Sequence, residues 1–124
     1  MKKKSTVIIF HTKKCFLILK KNKNKLWELP GGKKKKNESF YKAALREAEE
    51  EIGFLPKFKK TGFICLANKA NKLVIYFAKV SAKFSCQLSA EHIDFKWIEF
   101  LCPNDLSLSA KSRKLIRYLE KKFS

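Results

Sequence analysis

Glu47, Glu50 and Glu51 stand three and four residues apart in a stretch whose apolar pattern is helical. That spacing puts the three carboxylates on one side of a helix, within an arc of roughly 100°. Like charges so close destabilise a helix by a few tenths of a kcal/mol per pair, so the arrangement needs something to offset the repulsion. A hard divalent cation, which prefers oxygen ligands, is the natural agent. Immediately upstream lie a double glycine, Gly31-Gly32, and four consecutive lysines, Lys33 to Lys36. The carboxylates thus follow a tight backbone and a cationic loop.

Gly32, Glu38, Arg46, Glu47, Ala48, Glu50, Glu51, Gly53 and Phe54 reproduce, without a gap, the pattern Gly-x5-Glu-x7-Arg-Glu-apolar-x-Glu-Glu-x-Gly-apolar. Seven of these positions are fixed, and at roughly 7 % usage per residue type a chance match is on the order of 10⁻⁸ per starting point. The segment resembles the Nudix box. That resemblance implies a Nudix-type α/β/α sandwich with a mixed β-sheet. It also implies a hydrolase that cleaves a diphosphate linkage joining a nucleoside to another group, with Mg²⁺ or Mn²⁺ as cofactor.

The 124 residues suggest one domain, 1–124, and 45 % hydrophobic residues are enough to fill its core. No apolar run approaches the roughly 18 residues that span a membrane. The basic start MKKKSTVIIF loses its apolar character at His11 to Lys14, too early for a signal peptide. The reading is a cytoplasmic protein with no membrane partner. Cys15, Cys65, Cys86 and Cys102 are widely separated and form no C-x-x-C pair, so they read as buried free thiols.

The net charge of +18 invites a nucleic-acid partner. Against that, only Arg46, Arg113 and Arg117 among the 29 basic residues are arginine, and phosphate readers favour the arginine fork. Compositional bias with incidental steering of polyanions is the favoured reading, with a nucleic-acid surface as the alternative.

Thr6 to Phe10 and Cys15 to Leu19 read as a hairpin. Pro30 and the glycines are expected to stop regular structure. Ser39 is a plausible N-cap for a helix ending near Ile52, with Gly53 closing it in left-handed geometry. Ala44, Leu45, Ala48 and Ile52 form its core-facing stripe. Gly62 to Ala67, Leu73 to Val80 and Phe95 to Phe100 read as strands, and Cys102 to Leu108 as a loop. Leu115, Ile116, Leu119 and Phe123 mark a C-terminal amphipathic helix.

By the resemblance, Glu47, Glu50 and Glu51 hold the metal with the carbonyl of Gly31; helical phase turns Glu49 to solvent. Arg46 and Glu38 pair to support the carboxylates. From the lysine loop itself Lys33 is the candidate phosphate contact, with a solvated loop as the equal alternative. The catalytic base stays open among Glu50, Glu47 and Glu91. Several relatives place a Glu shortly before a late Trp, but here Lys96 precedes Trp97. Ser89-Ala90-Glu91-His92 followed by Phe95-Lys96-Trp97-Ile98 is similar to a second pattern, in small diadenosine tetraphosphate hydrolases. This implies Glu91 and His92 near the polyphosphate and Tyr76 stacked on a base, with a structural His92 and a core Tyr76 as the plain alternatives.

The reading therefore leans to dinucleoside polyphosphates as substrates. A nucleoside triphosphate pyrophosphohydrolase with a house-cleaning role is the alternative, and a basic module acting on RNA, including RNA 5′ ends, is a third. Nothing in the residues decides between monomer and homodimer.

Overall fold

A computed structural model describes residues 2–99 and 107–123. The strands are β1 (Lys3–His11), β2 (Cys15–Lys21), β3 (Trp27–Glu28), β4 (Gly31–Lys33), β5 (Lys59–Ala67), β6 (Asn71–Lys79) and β7 (His92–Glu99). Two helices complete the chain, α1 (Phe40–Ile52) between β4 and β5, and α2 (Ala110–Phe123) at the end. The strands form one mixed sheet, with β1 and β6 parallel and β5, β6 antiparallel. The expected α/β sandwich is therefore present, with a helix on each face.

The β-branched run of β1 alternates between those faces, as the period of a strand requires. Ile8 and Phe10 join Leu17, Leu19, Val74 and Tyr76 beneath α1. Val7 and Ile9 join Phe16, Ile18, Ile75 and Phe77 beneath Leu115, Ile116 and Leu119 of α2. The small Ala44 and Ala48, both fully buried, let α1 lie close on the sheet. Ser39 caps that helix, its Oγ accepting the Lys42 N–H at 3.1 Å. Gly53 closes it at φ +88°, donating to the Glu49 carbonyl. A side chain at Gly53 would also run into the Gln87 carbonyl.

Two expectations need correction. Gly31 to Lys33 is not irregular, because it pairs antiparallel with Ser5 to Val7 of β1. The glycine permits this, since a Cβ on Gly31 would collide with the Thr6 carbonyl. Nor are the thiols uniformly buried: Cys15 is, Cys65 is exposed and Cys86 is half-buried. Phe100, Cys102 and Pro103 lie outside the described residues, as does the side chain of Phe123. No helix among the described residues is long and apolar enough to cross a membrane.

The feature that positions the site is a change of partner along β1. It pairs with β2 at the turn, His11 opposite Phe16, but from Val7 back to Ser5 its neighbour on that side is β4. Meanwhile β2 continues alongside β3 and β7. The carboxylates of α1 reach through to the α2 side next to β4.

Candidate active site

One large cavity of about 1190 Å³ opens on the α2 face of the sheet. Glu28, Glu47, Glu51 and Glu91 line it, together with Gly31, Gly32 and Lys33. Ser109 to Ser112 roof it from the start of α2, held by a hydrogen bond from the Leu29 N–H to the buried Ser112 Oγ at 3.0 Å. Within an overall charge of +18, four of the eleven acidic residues meet here.

Each of three carboxylates has one oxygen anchored by the protein. Glu51 Oε1 accepts the Gly31 N–H at 2.9 Å. Glu47 Oε1 accepts from Arg46 Nη1 at 2.8 Å, while its Oε2 lies over the α-carbon of Gly32, where a Cβ would overlap the carboxylate. Glu28 Oε2 accepts from His92 Nε2 at 2.8 Å. That bond needs the proton on Nε2, which leaves the buried His92 Nδ1 without a partner among the described residues. Glu51 Oε2 sits 3.8 Å from the same Nε2, and Glu28, Glu51 and His92 present ligand atoms within 4.8 Å of one another.

Glu51 is 4 % exposed. Burial pushes its carboxyl up to about 9; the Gly31 N–H opposes the shift, and the negative charges of Glu28, Glu47 and Glu91 add to it. At neutral pH this group requires either a proton or a cation. A divalent cation fits that demand, because hard ions take carboxylate oxygens and the unanchored oxygens of Glu47, Glu51 and Glu28 are available for it.

Arg46 organises the rest. Its Nη2 and Nε grip both oxygens of Glu38 at 2.7 and 3.1 Å, and Nη2 also reaches the Lys33 carbonyl at 3.1 Å. The Lys35 N–H completes Glu38. The Arg46 bond and then the Lys35 N–H hold the Glu38 carboxyl at about 2. One guanidinium thus ties the lysine loop, the N-terminal approach to α1 and Glu47 into a single unit.

The residues expected from sequence separate into groups. Glu47, Glu51, Gly31, Lys33 and Glu91 line the cavity together. Glu50 stands outside its lining, with a side chain 58 % exposed and 3.5 Å from Arg46. Glu49 is exposed. His92 lies beneath the cavity, buried against Glu28 and Glu51. Tyr76 is a correction: it is buried on the opposite face, its ring 5.0 Å from Tyr41 of α1. Even numbering in β6 puts Tyr76 with Val74 under α1, and Leu73 with the cavity. Sequence reasoning missed Glu28. The signal was its place between Trp27 and Leu29, two large apolar residues that a short strand buries on the other side.

The NUDIX domain model matches residues 2–119. An 8-oxo-dGTP diphosphatase of Buchnera aphidicola (subsp. Schizaphis graminum) is 36 % identical over 73 residues, covering 59 % of this chain and 55 % of that protein. The mRNA-decapping protein g5R of African swine fever virus is 37 % identical over 91 residues, covering 65 % of this chain and 37 % of that protein. The chain therefore spans about half, or less, of the length of these curated relatives. Among solved structures, a Caenorhabditis elegans Ap4A hydrolase complex matches with TM-score 0.75 and 22 % identity, over 98 % of this chain and 97 % of that one. The Nudix hydrolase RenU of Mycobacterium smegmatis matches with TM-score 0.80 and 17 % identity, over 98 % and 84 %. At these identities the solved structures speak to the fold.

Proposed function

The chain belongs to the Nudix family, and from that premise we propose that it hydrolyses a phosphoanhydride bond of a nucleoside triphosphate, releasing a nucleoside monophosphate and pyrophosphate. The observation that carries this reading is the layout of the cavity. Its acidic end lies at β3 and β4; its apolar end, Val7, Leu73 and Leu66 with Asn68 and Asn71, lies across β1, β6 and β5. Three strand spacings of about 4.8 Å separate β4 from β5. One nucleoside fits against the apolar end, with its phosphates running past Lys3 and Lys33 toward Glu47 and Glu51. The similarity to 8-oxo-dGTP diphosphatases supports the same class.

Nudix hydrolases are metal-dependent, and here Glu47 and Glu51 would hold a divalent cation, with Glu28 and the carbonyl of Gly31 beside them. Glu50, free at the helix rim, is available to join. Such a cation neutralises phosphate charge and acidifies the attacking water. Arg46 keeps Glu47 aimed at the cavity, and Gly31 does the same for Glu51. Lys33 contacts phosphate. Glu91 lines the cavity from the loop before β7, and no side chain holds its carboxylate among the described hydrogen bonds. It is the group suited to take the water proton, ahead of Glu47. His92 positions Glu28.

A dinucleoside polyphosphate is the second reading, favoured by Glu91 in the cavity lining and His92 just beneath it, against Glu28 and Glu51. It is weakened by the position of Tyr76 and by the lack of an aromatic side chain among the described lining residues. Product analysis with Mg²⁺ tests the choice. Nucleoside triphosphates, the 8-oxo form of dGTP included, should yield monophosphate and pyrophosphate. Faster asymmetric cleavage of diadenosine tetraphosphate to ATP and AMP would overturn the proposal in favour of the second reading.

A further inference from the structure

The α1 face carries a second surface that the hydrolytic site does not use. Phe63, on edge strand β5, is 62 % exposed, the largest value among the exposed apolar side chains. Its ring lies 6.0 Å from that of Tyr76, which in turn meets Tyr41. Lysines border this aromatic row. Lys60 Nζ stands 4.6 Å from the Tyr41 ring centroid. Lys72 and Lys34 stand 5.1 and 5.7 Å from that of Phe40. No acidic residue interrupts the hairpin, since between Ile52 and Ala90 the chain has seven lysines and no Asp or Glu. The first turn of α1 is likewise free of acids.

We infer that this patch binds a single-stranded polynucleotide, with a base stacked on Phe63 and phosphates against Lys60, Lys72 and Lys34. An exposed ring at the end of a row bordered by lysines matches such a strand on both counts. Stacking is tolerant of base identity, and lysine serves as a point charge where no bidentate fork is needed. The absence of any acid across the hairpin removes the repulsion that a mixed surface would impose on a polyanion. A protein partner would have to supply both an acidic and an apolar face, whereas a nucleic acid carries both in every repeat.

The patch is next to the cavity through the chain itself. Lys3 and Asn71 line the cavity, while Lys4 and Lys72, one residue on and paired with each other, belong to the opposite face. Lys34 donates its backbone N–H to the Lys4 carbonyl at 3.1 Å. A strand lying on the patch would reach the cavity mouth around the end of β1 and β6. The inference concerns binding and does not depend on which phosphoanhydride the cavity hydrolyses.

Fluorescence anisotropy of a labelled 5′-hydroxyl oligouridylate tests it, with a length of about 12 nucleotides, within the span that such sites cover. The 5′-hydroxyl end removes hydrolysis from the readout. Phe63→Ala, at an exposed position, should weaken binding about ten-fold or more. The Lys60→Ala/Lys72→Ala pair should reduce the slope of log K against log salt by roughly 1.4, two phosphate contacts at about 0.7 each. Lys13→Ala/Lys14→Ala, in the β1–β2 turn and without a ring contact to the aromatic row among the described residues, serves as the charge-matched control. An abasic strand of equal length binding as tightly as the oligouridylate would overturn the inference. So would a control pair that weakens binding as much as the Lys60 and Lys72 pair.

Discussion

Val7 and Ile8 are adjacent in β1, and the surfaces they serve differ completely. Ile8 is sealed under α1, where Ala44 and Ala48 bring the helix onto the sheet and leave no room for a ligand. Val7 lies beneath the α2 side, where the start of that helix stands over an open chamber. The closed face has its charge outside, as lysines over aromatic rings. The open face has its charge inside, as carboxylates of which Glu28, Glu47 and Glu51 are each held by one oxygen. The contrast shows how one sheet stays folded while keeping mutually repelling acids: each face carries its own apolar core, and the acids gather only where the start of α2 stands over the chamber.

The largest expected effect separates two neighbouring carboxylates. Glu51→Gln should cost more activity than the roughly 10–100-fold typical of a supporting residue, while leaving the fold intact, since the amide replaces a carboxyl that burial already disfavours as an anion. Glu50→Gln should cost far less, its side chain being exposed. Steady-state kinetics beside circular dichroism would check both, and equal losses would show that Glu50 moves into the cavity during turnover.

Packing provides the next comparison. Leu17→Ala, fully buried beneath α1, should destabilise by about 2–5 kcal/mol in urea unfolding. Leu66→Ala, 38 % exposed at the cavity wall, should stay within about 0.5 kcal/mol. Similar costs at the two sites would mean that the open face is more closely packed than its chamber indicates.

Arg46→Lys tests the unit that joins loop and helix. A lysine keeps the charge but not the fork that grips Glu38 and Glu47, so activity should fall roughly 10–100-fold with the metal at saturation. Full activity would remove Arg46 from any positioning role.

The smallest effect is in acid. The Arg46 hydrogen bond lowers the Glu38 carboxyl in the folded state from 4.5 to about 2. A group depressed in this way contributes stability that is fully present above pH 4.5 and lost as pH falls toward about 2. Acid titration followed by circular dichroism should therefore show a shallower loss over that interval for Glu38→Gln than for the parent chain.

Much of this was legible in one dimension. The caps Ser39 and Gly53, the short apolar runs of β1, β2 and β6, and the helical spacing of Glu47 and Glu51 are local signals. They read correctly because backbone geometry and solvent set them within a few residues. The short strand Gly31 to Lys33 was not legible, because glycines next to proline ordinarily signal a turn. Only the proximity of the Thr6 carbonyl explains why glycine is needed there. The pairing of Glu28 with His92 spans 64 residues, and no local rule brings them together.

The sequence by itself determined that a carboxylate face would form on one helix of an α/β domain, since spacing and residue type are enough to specify both. Tertiary structure alone decided which of those carboxylates enter the cavity, because β1 changes partner from β2 to β4 and, of the α1 carboxylates, Glu47 and Glu51 line it there. It also decided that Tyr76 belongs to the closed face, since the parity of a strand becomes a choice of side only once the sheet has a helix on each.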